Sequence, residues 1–125
     1  MTATKIRTSI WSSVVLTASA GPTTSSWIDL SGGYGAQVNF RLSNGATGPT
    51  VPAQVQVQVA NDYNSGSPTL AMNFGGPCVG DINNTYTRDF SIEIPPGVEA
   101  IRLIAGQNTG QNVTVDADIS NITAL

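Results

Sequence analysis

The feature that most limits what this chain can fold into is a set of short stretches in which apolar and polar residues alternate one for one. Val38, Phe40 and Leu42 alternate with Gln37, Asn39 and Arg41, and Val55, Val57 and Val59 alternate with Gln54, Gln56 and Gln58. Successive side chains of an extended strand point to opposite faces, so this period describes a strand with one dry face. The pattern returns in Phe90, Ile92 and Ile94, in Ile101, Leu103 and Ala105, and in Val113, Val115, Ala117 and Ile119. After Ile119 the phase slips, because Ile122 lies three positions on, which predicts a bulge or a strand end there. No window sustains a helical period.

Turn signals separate these strands. A first strand is predicted over Ile10 to Ala18, and Gly21, Pro22 and the Thr/Ser run to Ser26 then turn the chain into a short strand, Trp27 to Leu30. Ser31-Gly32-Gly33-Tyr34-Gly35 breaks that strand. Asn44-Gly45 ends the next one with a dipeptide suited to positive φ in a tight turn. Gly48-Pro49 and Val51-Pro52 make residues 46 to 52 an extended loop, since proline cannot donate to a ladder. Residues 61 to 88 carry turn residues every few positions and read as a long irregular excursion, with Thr69 to Phe74 as a brief strand inside it. Seven or eight short strands with nearly regular turns predict one all-β domain, an antiparallel β-sandwich of jelly-roll or immunoglobulin-like connectivity. The predicted domain runs from 10 to 125, behind an N-terminal arm from 1 to 9.

A chain of 125 residues has the size of one compact domain and one core. Charged residues are only 10% of it, against roughly 25% in average soluble domains. Thr, Ser, Asn, Gln and Gly supply the polarity instead, a surface suited to close-packed neighbours. The formal charge of −3 and the scatter of Lys5, Arg7, Arg41, Arg88 and Arg102 speak against nucleic acid as the partner, because phosphate binding needs clustered cations. No apolar run approaches the length of a membrane span. The first twenty residues carry a faint resemblance to a secretory leader, but Ser9, Ser12, Ser13 and Thr17 interrupt its apolar stretch, so the segment is expected to be part of the folded protein.

Reactive chemistry has little material here. There is no His, and the single Cys78 has neither a disulfide partner nor an imidazole to activate it. Asp116 and Asp118 share one face of the last strand and, with Asp29, Asp62, Asp81 and Asp89, offer oxygen ligands for a cation. No loop has the acidic spacing of a calcium site, so a solvated face is the expected role. The Gly-rich stretch at 31 to 35 lacks the lysine and the following helix of a phosphate-binding loop. Asn83-Asn84-Thr85, Asn112-Val113-Thr114 and Asn121-Ile122-Thr123 match the glycosylation pattern by the chance expected of so much Asn and Thr. No catalytic residue, metal or cofactor is assigned. Tyr34, Tyr63 and Tyr86 lie in Gly- or Asn-rich loops, where they could form a binding platform or touch a partner.

Several phrases of the sequence carry a family likeness. Trp27-Ile28-Asp29-Leu30, Gly33-Tyr34-Gly35-Ala36, Phe40-Arg41-Leu42-Ser43-Asn44-Gly45 and Val55-Gln56-Val57-Gln58-Val59 resemble small virion proteins of tailed bacteriophages, as do Ile94-Pro95-Pro96-Gly97-Val98 and Thr114-Val115-Asp116-Ala117-Asp118-Ile119. The resemblance implies a capsid decoration, or cement, protein. It would be a small non-enzymatic β-sandwich of the virion, assembled in the host bacterial cytoplasm, with the major capsid protein and copies of itself, often as a homotrimer, as partners. The arm residues Lys5, Ile6 and Arg7, together with Tyr34, Tyr63 and Tyr86, are the expected partner contacts. The alternatives are a carbohydrate-binding β-sandwich of a tail fibre and a tail or connector component.

Overall fold

The computed structural model describes residues 3 to 124. Met1 and Thr2 of the predicted arm, and Leu125, lie outside the described residues. Ten strands form: β1 (Thr4–Leu16), β2 (Thr23–Thr24), β3 (Ile28–Asp29), β4 (Ala36–Asn44), β5 (Gln54–Ala60), β6 (Ala71–Asn73), β7 (Cys78–Val79), β8 (Thr87–Ile94), β9 (Ala100–Gly106) and β10 (Val113–Ala124). They build two antiparallel sheets. The first has the order β1-β10-β4-β8, and in the second β9 lies between β5 and the β2/β3 pair while β5 carries β6 and β7 on its far side. Counting β2 with β3 and β6 with β7 gives eight positions, arranged 1-8-3-6 in one sheet and 2-7-4-5 in the other. That order is the jelly roll, which decides between the two connectivities the sequence allowed.

The alternating residues do what their period requires. Val38, Phe40 and Leu42 of β4 and Val113, Val115 and Ile119 of β10 point inward from the first sheet, and meet Val55, Val57, Ile101 and Leu103 from the second. Each full burial of such a side chain is worth about 1.5–3 kcal/mol. Phe40 and Phe90 sit directly opposite in register and stack with centroids 5.2 Å apart. Phe90 is only half-buried, because β8 is an edge strand.

Four local differences from the sequence expectations have physical causes. The segment read as an arm up to Ser9 is strand from Thr4 onward, paired along β10. Its residues from Thr4 to Ser9 are all exposed, so an edge strand there shows no dry face and no period. The excursion at 61 to 88 holds β6, β7 and the start of β8. Phe74 N–H donates to Val57 and Gly80 N–H to Ala53, so residues 71 to 80 follow β5 as an interrupted edge. Gly75-Gly76-Pro77 breaks that ladder where an edge tolerates it. The Asn44-Gly45 turn has no positive φ. The Asn44 amide instead donates to the carbonyls of Asp81 and Asn83 at 2.7 and 2.8 Å, fastening the 45–53 and 80–86 loops. Finally, β10 does not stop at Ile119. Ile122 keeps regular register opposite Lys5 and faces outward with Ser120, which accounts for the change of phase, and the bulge comes one residue later, where Thr123 is the extra residue of a register shift against Thr4 and Lys5.

Candidate functional site

With the inner faces packed together, the outer faces of the two sheets are the surfaces left to act. On the first sheet, β10 presents Asp116 and Asp118, β4 presents Gln37, Asn39 and Arg41, and β8 presents Asp89, Ser91 and Glu93. These groups pair with one another. Arg41 grips Asp89 across the ladder with two bonds of 2.7 and 3.0 Å. Arg7 reaches Asp118 at 2.6 Å, and Asn39 donates to the same carboxylate at 3.2 Å. The hydrogen bond from Arg41 holds the Asp89 carboxyl below its ordinary range, and Asp89 in turn raises the Arg41 guanidinium. Asp116 has a structural task. Strand β1 bulges at Ser12 and Ser13, where Ser13 takes φ +49°, and the displaced Ser13 N–H donates to Asp116 Oδ1 at 2.7 Å. The two aspartates expected on a solvated face are thus spent on the fold. A shallow trough of about 580 Å³ lies over these pairs, bordered by Trp11.

One end of the first sheet holds a second depression, of about 780 Å³, lined by Lys5, Tyr34, Gln37, Glu93, Pro95, Pro96 and Ile122. Tyr34 is brought there by the glycine turn. Its N–H donates to Ile122 at 2.7 Å, and Gly35 beside it takes φ +102°, a conformation that a side chain at this position would strain. Ile6 is 54% exposed on the adjoining edge of β1.

The outer face of the second sheet is built differently. Gln54, Gln56 and Gln58 of β5 lie half-buried beside Arg102 and Ile104 of β9. Arg102 lies 4.6 Å from the centre of the Trp27 ring, and its Nε donates to Gln58 Oε1 at 2.8 Å. Gln58 Nε2 passes the chain on to Asn73 Oδ1 at 3.0 Å. A continuous line of planar groups therefore crosses from Trp27 to β6. The alternating glutamines signalled this face in the sequence, but the meeting of Trp27 with Arg102 depends on β3 and β9 being neighbours and left no local signal.

The residues expected as partner contacts are divided by the fold. Lys5, Ile6 and Tyr34 gather at one end of the first sheet, while Arg7 is engaged with Asp118. Tyr86 marks the opposite end, where its carbonyl accepts the Asn44 N–H, and the nine residues from Ala36 to Asn44 put roughly 27 Å between the two ends. Tyr63 is half-buried beside the single helical turn at Asn64–Gly66. The three tyrosines do not form one platform. Cys78 is half-buried under β5, and burial raises its thiol pKa. Among the described residues no group of three or more Asp, Glu or Cys is placed to hold a metal, and no helix is long and apolar enough to cross a membrane.

No family model matches this sequence, and no curated protein matches it. Solved structures do share its fold. The VP2 subviral particle of infectious bursal disease virus matches 98% of this chain with 33% of its own, at 6% identity and a TM-score of 0.57. Latent PorU of Porphyromonas gingivalis matches 98% of this chain with 13% of its own, at 12% identity and a TM-score of 0.53. The SPBc2 prophage-derived protein YomS matches over 96% of both chains at 14% identity, with a TM-score of 0.49. This chain thus spans about a third of the viral chain it matches. At these identities the likeness is one of fold, and it reaches both a viral particle and a bacterial protein.

Proposed function

We propose that this chain is a structural protein of a bacteriophage virion, of the capsid decoration type, which binds the outside of the head and braces neighbouring coat subunits without turnover. The observation that carries this reading is a jelly roll with two broad outer faces. One has most of its charges paired internally, and the other is nearly uncharged with Trp27 and Arg102 set into it. The phage-like phrases of the sequence and the fold shared with a viral particle point the same way. A module that binds only the assembled shell stabilises it by mass action, about 2.7 kcal/mol per site at a hundred times its dissociation constant. Lys5 and Tyr34, which line the end depression, and Ile6, exposed on the edge strand beside it, are the contacts proposed for the major capsid protein, with Tyr63 and Tyr86 at the margins.

The test is to add purified protein to expanded phage heads that lack it. Saturable binding and a higher melting temperature of the heads are expected, and Tyr34→Ala should weaken the binding. Heads that neither bind the protein nor gain stability would remove the decoration role. Binding to a glycan array without binding to heads would move the function to the carbohydrate-binding alternative.

A further inference from the structure

The outer face of the second sheet carries two charged side chains, and they are of opposite sign. Arg102 stands on β9, and Asp29 on β3 registers with Ala100, which lies on the same face of β9 two positions before Arg102. Both have bonding capacity that their own fold leaves unused among the described residues. Arg102 is held from one side by Trp27 and from the other by Gln58 through Nε, and among the described residues no carboxylate lies within ion-pair distance of it. Asp29 accepts the Ser31 N–H and hydroxyl on Oδ1 alone, which leaves Oδ2 without a partner among the described residues. Around the pair lie half-buried Ile104, exposed Val79 and the three glutamines of β5.

We propose that this face packs against the same face of a second copy of the chain about a two-fold axis, with Arg102 of each copy meeting Asp29 of the other. In a two-fold contact residue i meets j and j meets i, so one face carrying a cation and an anion side by side satisfies both charges twice. A cyclic trimer, the assembly implied by the phage resemblance, would set this face against a different surface and leave that reciprocity unused. The residue types agree with the proposal. Centres of protein interfaces lose Lys, Glu and Asp and are dominated energetically by Trp and Arg, and here one Trp and one Arg stand together in an uncharged field. Holding Arg102 between Trp27 and Gln58 also lowers the side-chain entropy lost on contact.

The pairing does not depend on head binding, and it is tested on the full chain alone by sedimentation velocity and native mass measurement from micromolar to several hundred micromolar. A monomer–dimer equilibrium is expected. Arg102→Glu and Asp29→Arg should each weaken it about tenfold or more, and combining Asp29→Arg with Arg102→Asp should restore it. Each variant should keep the circular dichroism spectrum of the native fold. A monomer at every concentration, a trimer mass, or a dimer indifferent to Arg102→Glu and to the charge exchange would overturn the proposal.

Discussion

The outer face of the first sheet carries Arg7, Arg41, Asp89, Glu93, Asp116 and Asp118, whereas the second sheet shows the solvent only Arg102 and Asp29 among uncharged amides and apolar side chains. Beneath both lies one continuous core. The difference teaches how a chain poor in charge distributes what it has. On the first face Arg7, Arg41, Asp89 and Asp118 are joined in pairs and Asp116 caps the Ser13 bulge, so most of its charge serves the fold, with Lys5 and Glu93 left at the end depression. On the second face the two charges are left with open bonding positions, and the surface around them loses little by being covered. Both edges of the first sheet are also guarded. Strand β1 is bulged, and β8 carries Arg88, Asp89 and Glu93, which discourages pairing of strands edge to edge and leaves faces as the means of contact.

The comparison can be strained at its base first. Leu42→Ala under the charged face and Leu103→Ala under the uncharged face each remove a buried side chain and should cost about 2–5 kcal/mol in urea unfolding. Comparable losses would show that the two faces differ only on the outside, and a cheap Leu103→Ala would mean that the second sheet is poorly packed. A smaller effect separates the faces themselves. Asp116→Ala deprives the bulge amide of its acceptor and should cost about 1 kcal/mol, while Gln54→Ala, which removes no hydrogen bond among the described residues, should stay within about 0.5 kcal/mol in the monomer. Equal costs would erase the distinction between a face that serves the fold and one that does not.

The smallest effect concerns pH. The Arg41 hydrogen bond holds the Asp89 carboxyl below its ordinary value of 3.8. A carboxyl depressed in the folded state contributes stability above its unfolded value and loses it as pH falls through the folded one. The melting-temperature difference between the wild type and Asp89→Asn should therefore be constant near neutrality and shrink toward zero in acid below 3.8. The raised Arg41 would lose its share only in strong alkali.

Much of this arrangement was legible before any coordinates. Strands β4, β5 and β9 were visible because one face of each is dry, and the outward glutamines of β5 announced an uncharged surface. The edge strands were not. Thr4 to Ser9 are wet on both sides, and β6 and β7 are divided by glycine and proline, so neither carries the burial that creates a period. The phase slip at Ile122 read as a bulge or a strand end, whereas Ile122 belongs to the outer face of a strand that continues through it and bulges only at Thr123. Trp27 against Arg102, and Lys5 with Tyr34 around one depression, are brought together by strand order, and they became visible only once the jelly roll had been closed.

The two tryptophans stand one at each sheet, which gives a direct measurement of the account's main claim. Hydroxyl-radical oxidation of the full chain, followed residue by residue as the protein is concentrated, should show Trp27 becoming protected while Trp11, beside the charged trough, keeps its dilute rate. Protection of Trp11 with Trp27 unchanged would place the contact on the wrong face and contradict the account.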